Sequence, residues 1–165
     1  ENVLVGMHSV TDAGLLASML RLPKVRREEK AMRERAQEIL DMFPGRFSGP
    51  RQQQPAFSLS YANRRRLEIA RALASNPTLL MLDEPVAGMN PMESHEVMEQ
   101  IKILRDKGYT IVMIEHDMHV VEGVSDRVIA MDHGVKIAEG SYSDVANDPQ
   151  VVEAYLGKRA AEATA

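Results

Sequence analysis

The chain has 165 residues, 44% of them hydrophobic and 27% charged, which is the balance of a globular protein with one domain or the larger part of one. Its formal net charge of −4 argues against a nucleic-acid-binding protein. Cysteine is absent, so disulfides and thiolate metal sites are excluded. No apolar stretch approaches the roughly 18–20 residues that a membrane-spanning helix needs.

The first 57 residues predict helices followed by a loop. One helix ends at Pro23 and has apolar residues at helical spacing, namely Leu15, Leu16, Met19 and Leu20. A second is predicted from Arg27 to Met42, and its buried stripe is Ala31, Ala36, Ile39 and Leu40. Prolines and glycines around Gln52–Gln54 predict a loop over residues 43–57.

From Leu59 onward, helices and strands alternate. Ser60 is predicted to cap a helix that runs to Ser75. Leu79–Leu82 is a short apolar run, typical of a strand buried on both faces. A helix from Pro91 to Gly108 and a second buried strand at Thr110–Ile114 follow.

The last quarter predicts a short helix, a hairpin and a terminal helix. The short helix covers Met118–Val124. Val128–Met131 and Val135–Ala138 flank a tight turn at Asp132-His133-Gly134, which indicates a β-hairpin. The terminal helix covers Val151–Leu156, and the tail Lys158–Ala165 is expected to fray. The whole order predicts an α/β fold with a mainly parallel sheet and a leading helical subdomain.

Two adjacent carboxylates, Asp83 and Glu84, end the first predicted strand. Ligands bind at the carboxyl ends of strands in open α/β sheets. Neighbouring carboxylates repel each other and cost desolvation, so they are explained if one helps to hold Mg²⁺ and the other acts on water. An exposed acidic turn after a core strand is the alternative explanation of this pair alone.

Three further segments carry polar groups that suit the same chemistry. Leu59–Asn63 places a hydroxyl and backbone N–H groups at a helix N-terminus, where anions bind. Ala87–Asn90 is a tight polar turn after the carboxylates, and His116 follows the second strand. Each has an ordinary structural explanation when taken alone, as a capped helix, a helix-entry loop or a structural histidine.

Together the segments resemble the ATPases of ABC transporters over nearly the whole chain. Leu59-Ser60-Tyr61-Ala62-Asn63 resembles the family signature, and Leu79–Glu84 resembles the Walker B strand. Ala87-Gly88-Met89-Asn90 resembles the D-loop, and His116 resembles the switch histidine. The resemblance implies a P-loop NTPase-like core, incomplete here, over residues 59–140, with a helical subdomain at 1–58 and a C-terminal helix and tail at 141–165.

The resemblance also assigns roles and cofactors, which are ATP and Mg²⁺. Asp83 would hold Mg²⁺ through water, Glu84 would orient or deprotonate the attacking water, and His116 would contact the γ-phosphate. Ser60 and nearby backbone N–H groups would bind the γ-phosphate of an ATP held mainly by a second ATPase subunit. Asn90 and its neighbours would communicate across that head-to-tail interface. Positioning and charge stabilisation supply most of the catalysis in phosphoryl transfer.

Two departures from the family pattern stand out. Ala62 puts a methyl group where the signature has glycine, and whether the methyl narrows the approach of a phosphate stays open at this point. The phosphate-binding motif Gly-x-x-x-x-Gly-Lys-Ser/Thr does not occur in the chain. The aromatic residue that stacks on adenine and the glutamine loop of the family are missing too. In the family they precede a segment much like Glu1–His8, so we expect the chain to begin just after the glutamine loop and to be inactive alone.

Three segments point to the importers of branched-chain amino acids within the family: Arg65–Arg71, Glu115–Met118 and Asn147–Gly157. This resemblance implies permease subunits that receive the block at 1–57, a solute-binding protein acting indirectly, and a place on the cytoplasmic face of the membrane. The ATPases of lipopolysaccharide exporters and of urea importers stay open as alternatives. A non-catalytic partner subunit is a further alternative. Two alternatives have less support: a chromosome-maintenance or repair ATPase, whose long coiled coils have no counterpart here, and a metal hydrolase that uses Glu115, His116 and His119.

Overall fold

The computed structural model describes residues 1–8 and 23–156. The chain divides into two compact units, Glu1–Ile114 and Glu115–Ala165. The helix predicted around Leu15–Leu20 and the tail Lys158–Ala165 lie outside the described residues. The predicted domain limits at residues 58 and 140 rest on family motifs and remain predictions.

Four α-helices are described in the first unit: α1 (Asn2–Gly6), α2 (Pro23–Asp41), α3 (Tyr61–Leu73) and α4 (Pro91–Asp106). Helix α2 starts four residues earlier than predicted, because a proline in the first turn loses no helical hydrogen bond. Ala36 and Ile39 of its predicted stripe are buried, whereas Ala31 is exposed. Helix α3 confirms the predicted helix and its cap at Ser60.

Helix α1 packs against α2 and α3. Gly6 allows the approach to α3, because a Cβ added there would lie 2.3 Å from the carbonyl oxygen of Arg71. The segment between α2 and α3 is more ordered than the predicted loop. It contains two 3₁₀ turns, Gly49–Gln53 and Ala56–Ser58. Before these turns, the buried rings of Phe43 and Phe47 make an edge-to-face contact, with their centroids 5.9 Å apart.

The predicted strands form a two-stranded parallel sheet of β1 (Leu79–Asp83) and β2 (Thr110–Ile114). The prediction that both faces are buried is wrong. Leu80 and Leu82 are buried, but Met81 is 68% exposed and its register partner Val112 is 45% exposed. The described elements of this unit cover one face of β1, and an apolar run does not reveal how many layers cover a strand.

The second unit contains α5 (Met118–Val124), β3 (Val128–Asp132), β4 (Val135–Gly140), α6 (Tyr142–Ala146) and α7 (Pro149–Leu156). Strands β3 and β4 form the predicted antiparallel hairpin. His133 and Gly134 both have positive φ, 46° and 81°, as the favoured two-residue hairpin turn requires. Helices α6 and α7 cover the hairpin through Val145 and Val151, which pack on Ala130.

Helix α6 has no counterpart among the predicted elements. Its signal is the capping box at Ser141 and Asp144, where the side-chain oxygen of each residue accepts a hydrogen bond from the backbone amide of the other. The described part of the chain thus combines helices with one parallel and one antiparallel strand pair, which confirms a mixed α/β class. Among these residues, we find no helix with the length and apolarity to cross a bilayer.

Candidate functional site

Strand β1 ends in the carboxylate pair. Asp83 is the last residue of the strand and pairs in register with Ile114, and its side chain is exposed. Glu84 follows with φ 44°, a left-handed conformation that few residues other than glycine adopt. Its amide donates a hydrogen bond to the carbonyl oxygen of Ile114 over 2.9 Å. The pairing with β2 therefore continues one residue past the strand and fixes the backbone at Glu84.

The turn after the carboxylates is closed by its own backbone. The amide of Ala87 donates to the carbonyl of Glu84 over 3.2 Å, and the amide of Met89 donates to that of Val86 over 3.1 Å. Gly88 adopts φ 71°, which suits glycine. Asn90 then caps α4, with its Oδ1 accepting from the amide of Glu93 over 3.0 Å.

The side chain of Asn90 is thus committed to a capping box, because Glu93 also accepts a hydrogen bond from the amide of Asn90 over 3.3 Å. The signal for this cap was present in the sequence as Asn-Pro-Met-Glu. The turn Ala87–Asn90 therefore leads directly into the capped N-terminus of α4.

The signature-like segment forms the N-terminus of α3. The Oγ of Ser60 accepts from the amide of Asn63 over 3.4 Å, and Ser60 itself is exposed. Leu59 is half-buried and Tyr61 is 51% exposed. Ala62 is only 2% exposed, so its methyl group is inside the protein rather than at the open end of the helix.

The structure brings this segment next to the turn after the carboxylates. A Cβ added at Gly88 would lie 3.8 Å from Cε1 of Tyr61, which is van der Waals contact. Two arginines of α3 make further connections, in different directions. The sites predicted at 59–63, 83–84 and 87–90 therefore form one neighbourhood in the first unit.

Arg65 connects α3 to the end of β1. Its Nη2 donates to the carbonyl oxygens of Asp83 and Glu84, the second over 3.1 Å. Its Nη1 forms an ion pair with Glu68 on the same helix, with 3.0 Å between Nη1 and Oε2. The guanidinium therefore holds the backbone of the carboxylate pair through both carbonyl oxygens.

Arg66 connects α3 to α4 and is 1% exposed. Its Nη2 pairs with Oε2 of Glu96 over 2.7 Å, and its Nε donates to Oε1 of Gln100 over 3.3 Å. Glu96 also pairs with Arg46, which precedes the 3₁₀ turns. Burial, and then the nearby Arg46, lower the pKa of Arg66 below its usual value.

Neither arginine was assigned a role from the sequence. A signal for Arg66 existed, since it falls on the stripe formed by the buried residues of α3, which are Ala62, Arg66, Ile69, Ala70 and Leu73. A charged residue on such a stripe is almost always paired. No comparable pattern marks Arg65, because its partners are backbone carbonyls distant in sequence.

His116 belongs to the second unit and follows Ile114 by two residues. Its side chain is exposed, and its amide donates to Oε2 of Glu115 over 3.3 Å. Asp117 caps α5, accepting from the amide of His119 over 3.0 Å. The role of His116 at a γ-phosphate remains a prediction. Among residues 1–8 and 23–156, no group of three or more His, Cys, Asp or Glu side chains is placed to bind a metal.

Comparison with known families agrees with the fold. A family model described as ABC transporter matches residues 5–87, which is half of the chain. The chain belongs to the ABC transporter family. A second model, described as branched-chain amino acid ATP-binding cassette transporter, matches residues 135–161.

Curated relatives narrow the resemblance. The high-affinity branched-chain amino acid transport ATP-binding protein LivG of Escherichia coli strain K12 is 41% identical over 159 residues, covering 96% of this chain and 61% of that protein. The corresponding protein BraF of Pseudomonas aeruginosa is 36% identical over 164 residues, with the same coverage. The chain therefore spans about three fifths of the length of these relatives.

Solved structures show the same fold. The crystal structure of an ATP-binding cassette of an ABC transporter in its ADP conformation superimposes with a TM-score of 0.72 at 31% identity, covering 95% of this chain and 62% of that one. A dimeric cassette in a post-hydrolysis state, bound to ADP and Pi, gives a TM-score of 0.56 at 29% identity, covering 67% of this chain and 47% of that one. The predicted ABC ATPase fold class is confirmed.

Proposed function

We propose that the chain is part of the ATP-binding subunit of an ABC transporter that imports branched-chain amino acids, with ATP and Mg²⁺ as cofactors. The observation that carries the proposal is the link between helix α3, which begins in the signature Leu59–Asn63, and the carboxylate pair. Arg65 of that helix makes the link. The match at residues 135–161 favours amino-acid import over lipopolysaccharide export or urea import.

The proposed reaction uses the two carboxylates differently. Asp83, exposed at the end of β1, would hold Mg²⁺ through water, and Glu84 would orient the attacking water or take its proton. Mg²⁺ prefers one or two carboxylates together with phosphates and water over a cage made only of protein ligands. An exposed carboxylate at the end of a strand can share a metal ion with phosphates and water, which fits that preference.

The signature would act on the nucleotide of a second subunit. Ser60 and the open backbone N–H groups of α3 form a positive helix end that suits the γ-phosphate. Tyr61 borders Gly88, so the D-loop, Ala87–Asn90, would reach the same interface, and His116 would contact the γ-phosphate bound by its own chain. A head-to-tail dimer is supported by the dimeric state of a relative. Permease subunits would hold it at the cytoplasmic face of the membrane, and a solute-binding protein would act through them.

The chain alone would not hydrolyse ATP, because its 165 residues contain no phosphate-binding loop. The test is therefore a chimera, in which the portion of the Escherichia coli relative that the chain does not cover supplies that loop. The chimera should turn over ATP with Mg²⁺, and Glu84→Gln should abolish steady turnover while ATP binding is retained. Wild-type turnover by the Glu84→Gln chimera would remove Glu84 from the water-activating role.

Import is tested in cells. The chimera should restore uptake of leucine to Escherichia coli that lacks the relative, and the Glu84→Gln chimera should not. A matched control, Glu99→Gln, changes an exposed glutamate on α4 that pairs with Lys102, and should restore uptake. Active ATP turnover without any leucine uptake would favour an exporter or another importer over the proposed transport role.

A further inference from the structure

The backbone of Glu84 is held from two sides. On one side its amide donates to the carbonyl oxygen of Ile114 over 2.9 Å. On the other side its carbonyl oxygen accepts from Nη2 of Arg65 over 3.1 Å and from the amide of Ala87 over 3.2 Å. The strand β2 and the helix α3 therefore share control of one residue.

This residue needs such control because its φ of 44° is unfavourable for a side chain with a Cβ. Conformations of this kind persist only where the surroundings determine them. Arg65 also donates to the carbonyl oxygen of Asp83, so one guanidinium fixes two successive peptide groups. Both bonds come from Nη2, while Nη1 is held by Glu68; a lysine ammonium, without this planar arrangement, would bridge the carbonyls less rigidly.

A cleft of about 240 Å³ lies between α3 and the end of β1, lined by residues that include Arg65, Ala72, Asp83 and Pro85. Arg65 and Asp83, which the hydrogen bond from Nη2 joins, both border the cleft. Glu68 keeps the guanidinium in place from the solvent side through its own pairing with Nη1.

We propose that Arg65 is a positioning residue that sets the direction of the Glu84 side chain from the signature helix of the same chain. The inference rests on the proposed role of Glu84. Helix α3 would then have two roles. Its N-terminus would meet the nucleotide of the partner subunit. Arg65, about one turn further along the helix, would control Glu84, the water-activating group of the same chain. A shift of α3 on nucleotide binding would then reach Glu84 directly.

Hydrogen exchange on the chain itself tests the structural part. In Arg65→Gln, the amides of Glu84 and Ala87 should exchange at least about tenfold faster, because their conformation loses its support. The amides of the β3–β4 hairpin should not change. Arg65→Lys should retain part of the protection, and Arg64→Gln, which alters the exposed neighbour on α3, should retain all of it. Equal acceleration throughout the chain, or no change at Glu84, would overturn the inference.

Kinetics of the chimera test the functional part. Arg65→Gln should lower kcat about tenfold and leave the KM for ATP within about twofold, because nucleotide binding depends on the phosphate-binding loop. Arg65→Lys should recover part of kcat. A rise in KM with unchanged kcat would assign Arg65 to binding and sink the positioning role.

Mixed dimers decide whether the effect stays within one chain. One subunit carries Glu84→Gln, so single-turnover hydrolysis reports the site with the intact Glu84. Arg65→Gln should slow that site when it is on the subunit with intact Glu84, and should leave it unchanged on the other subunit. Equal slowing in both placements would mean a general structural defect. If the mixed dimer with native Arg65 does not hydrolyse ATP, the proposed ATPase function is contradicted. The positioning of Glu84 by Arg65 is then tested by the hydrogen-exchange experiment alone.

Discussion

The buried guanidinium of Arg66 donates a hydrogen bond from Nη1 to Oδ1 of Asn63, with 3.1 Å between the two atoms. Asn63 is the last residue of the signature. The Nη2 of Arg66 also approaches the carbonyl oxygen of Glu93 over 3.4 Å, in the first turn of α4. A single side chain thus joins the signature-like segment Leu59–Asn63 to helix α4, which the turn Ala87–Asn90 precedes.

Replacing Arg66 with methionine should destabilise the first unit by about 2 kcal/mol. The change leaves the buried amide of Gln100 and the carboxylate of Glu96 without one partner each, and such groups are costly to leave unsatisfied. Glu96 keeps Arg46, which limits the loss. Urea unfolding, followed by probes in each unit, measures the change.

Arg64→Met is the matched control, because Arg64 is exposed on the same helix. It should change the free energy of unfolding by less than about 0.5 kcal/mol. Equal effects of the two substitutions would mean that the network around Arg66 contributes no stability beyond that of a surface arginine.

The sequence predicted an element well where the residues that mark its ends lie within the element or next to it. Strand β2 has the predicted bounds because it is an apolar run between polar turns. Helix α5 has the predicted bounds because the aspartate cap at Asp117 marks its start. The hairpin turn at His133-Gly134 was equally local. The burial of Met81 was predicted wrongly, because the sequence of a strand does not show how many layers of structure pack against it.

The candidate site divides in the same way. The positions of Asp83, Glu84 and Ser60 could be read from motifs, because each motif is a short stretch with its own local geometry. Arg65 and Arg66 could not be assigned, although they are adjacent to the signature. Neighbouring side chains on a helix point about 100° apart, so one meets the carbonyl of Glu84 and the other meets Glu96, and only the packed structure identifies these partners.

Ala62→Gly should destabilise the chain and should not increase ATP turnover by the chimera. The methyl group is 2% exposed, so it does not narrow the open end of α3, and its removal costs about 1–2 kcal/mol through lost burial and added backbone freedom. Urea unfolding of the chain and steady-state kinetics of the chimera measure the two effects.

The control for Ala62 is Ala72→Gly, an exposed site on the same helix. It reports the backbone effect without the buried methyl and should cost about 1 kcal/mol. If Ala62→Gly instead doubled the turnover number, the methyl group would be obstructing the nucleotide, and the inward placement of Ala62 would be irrelevant to activity.

Ser141 should set the titration of Asp144. The hydroxyl of Ser141 donates to Oδ2 of Asp144 over 2.6 Å and its amide donates over 3.1 Å, and these bonds hold the pKa of Asp144 below its usual value. The pKa is lower in the folded state, so the stabilisation is complete above the pKa of the unfolded chain and is lost as pH falls through the folded pKa.

Carboxyl chemical shifts recorded across an acid titration measure this effect. Ser141→Ala should raise the pKa of Asp144 towards its usual value, and Ser143→Ala, at an exposed site on the same short helix, should not. The acid dependence of unfolding should also weaken in Ser141→Ala. An unchanged pKa in that variant would show that the capping box does not hold the carboxylate in solution.

The chain alone, given Mg²⁺ and ATP, should release no phosphate above background. In the proposed function the carboxylates and the signature orient groups around a nucleotide, but the 165 residues contain no phosphate-binding loop to cradle its β- and γ-phosphates. A sensitive phosphate-release assay at high protein concentration gives the measurement. The Glu84→Gln chain, prepared in parallel, separates intrinsic activity from contamination, because a contaminating ATPase is indifferent to residue 84. Phosphate release by the native chain that disappears with Glu84→Gln would contradict the prediction, and would mean that residues 1–165 bind the triphosphate through groups other than a phosphate-binding loop.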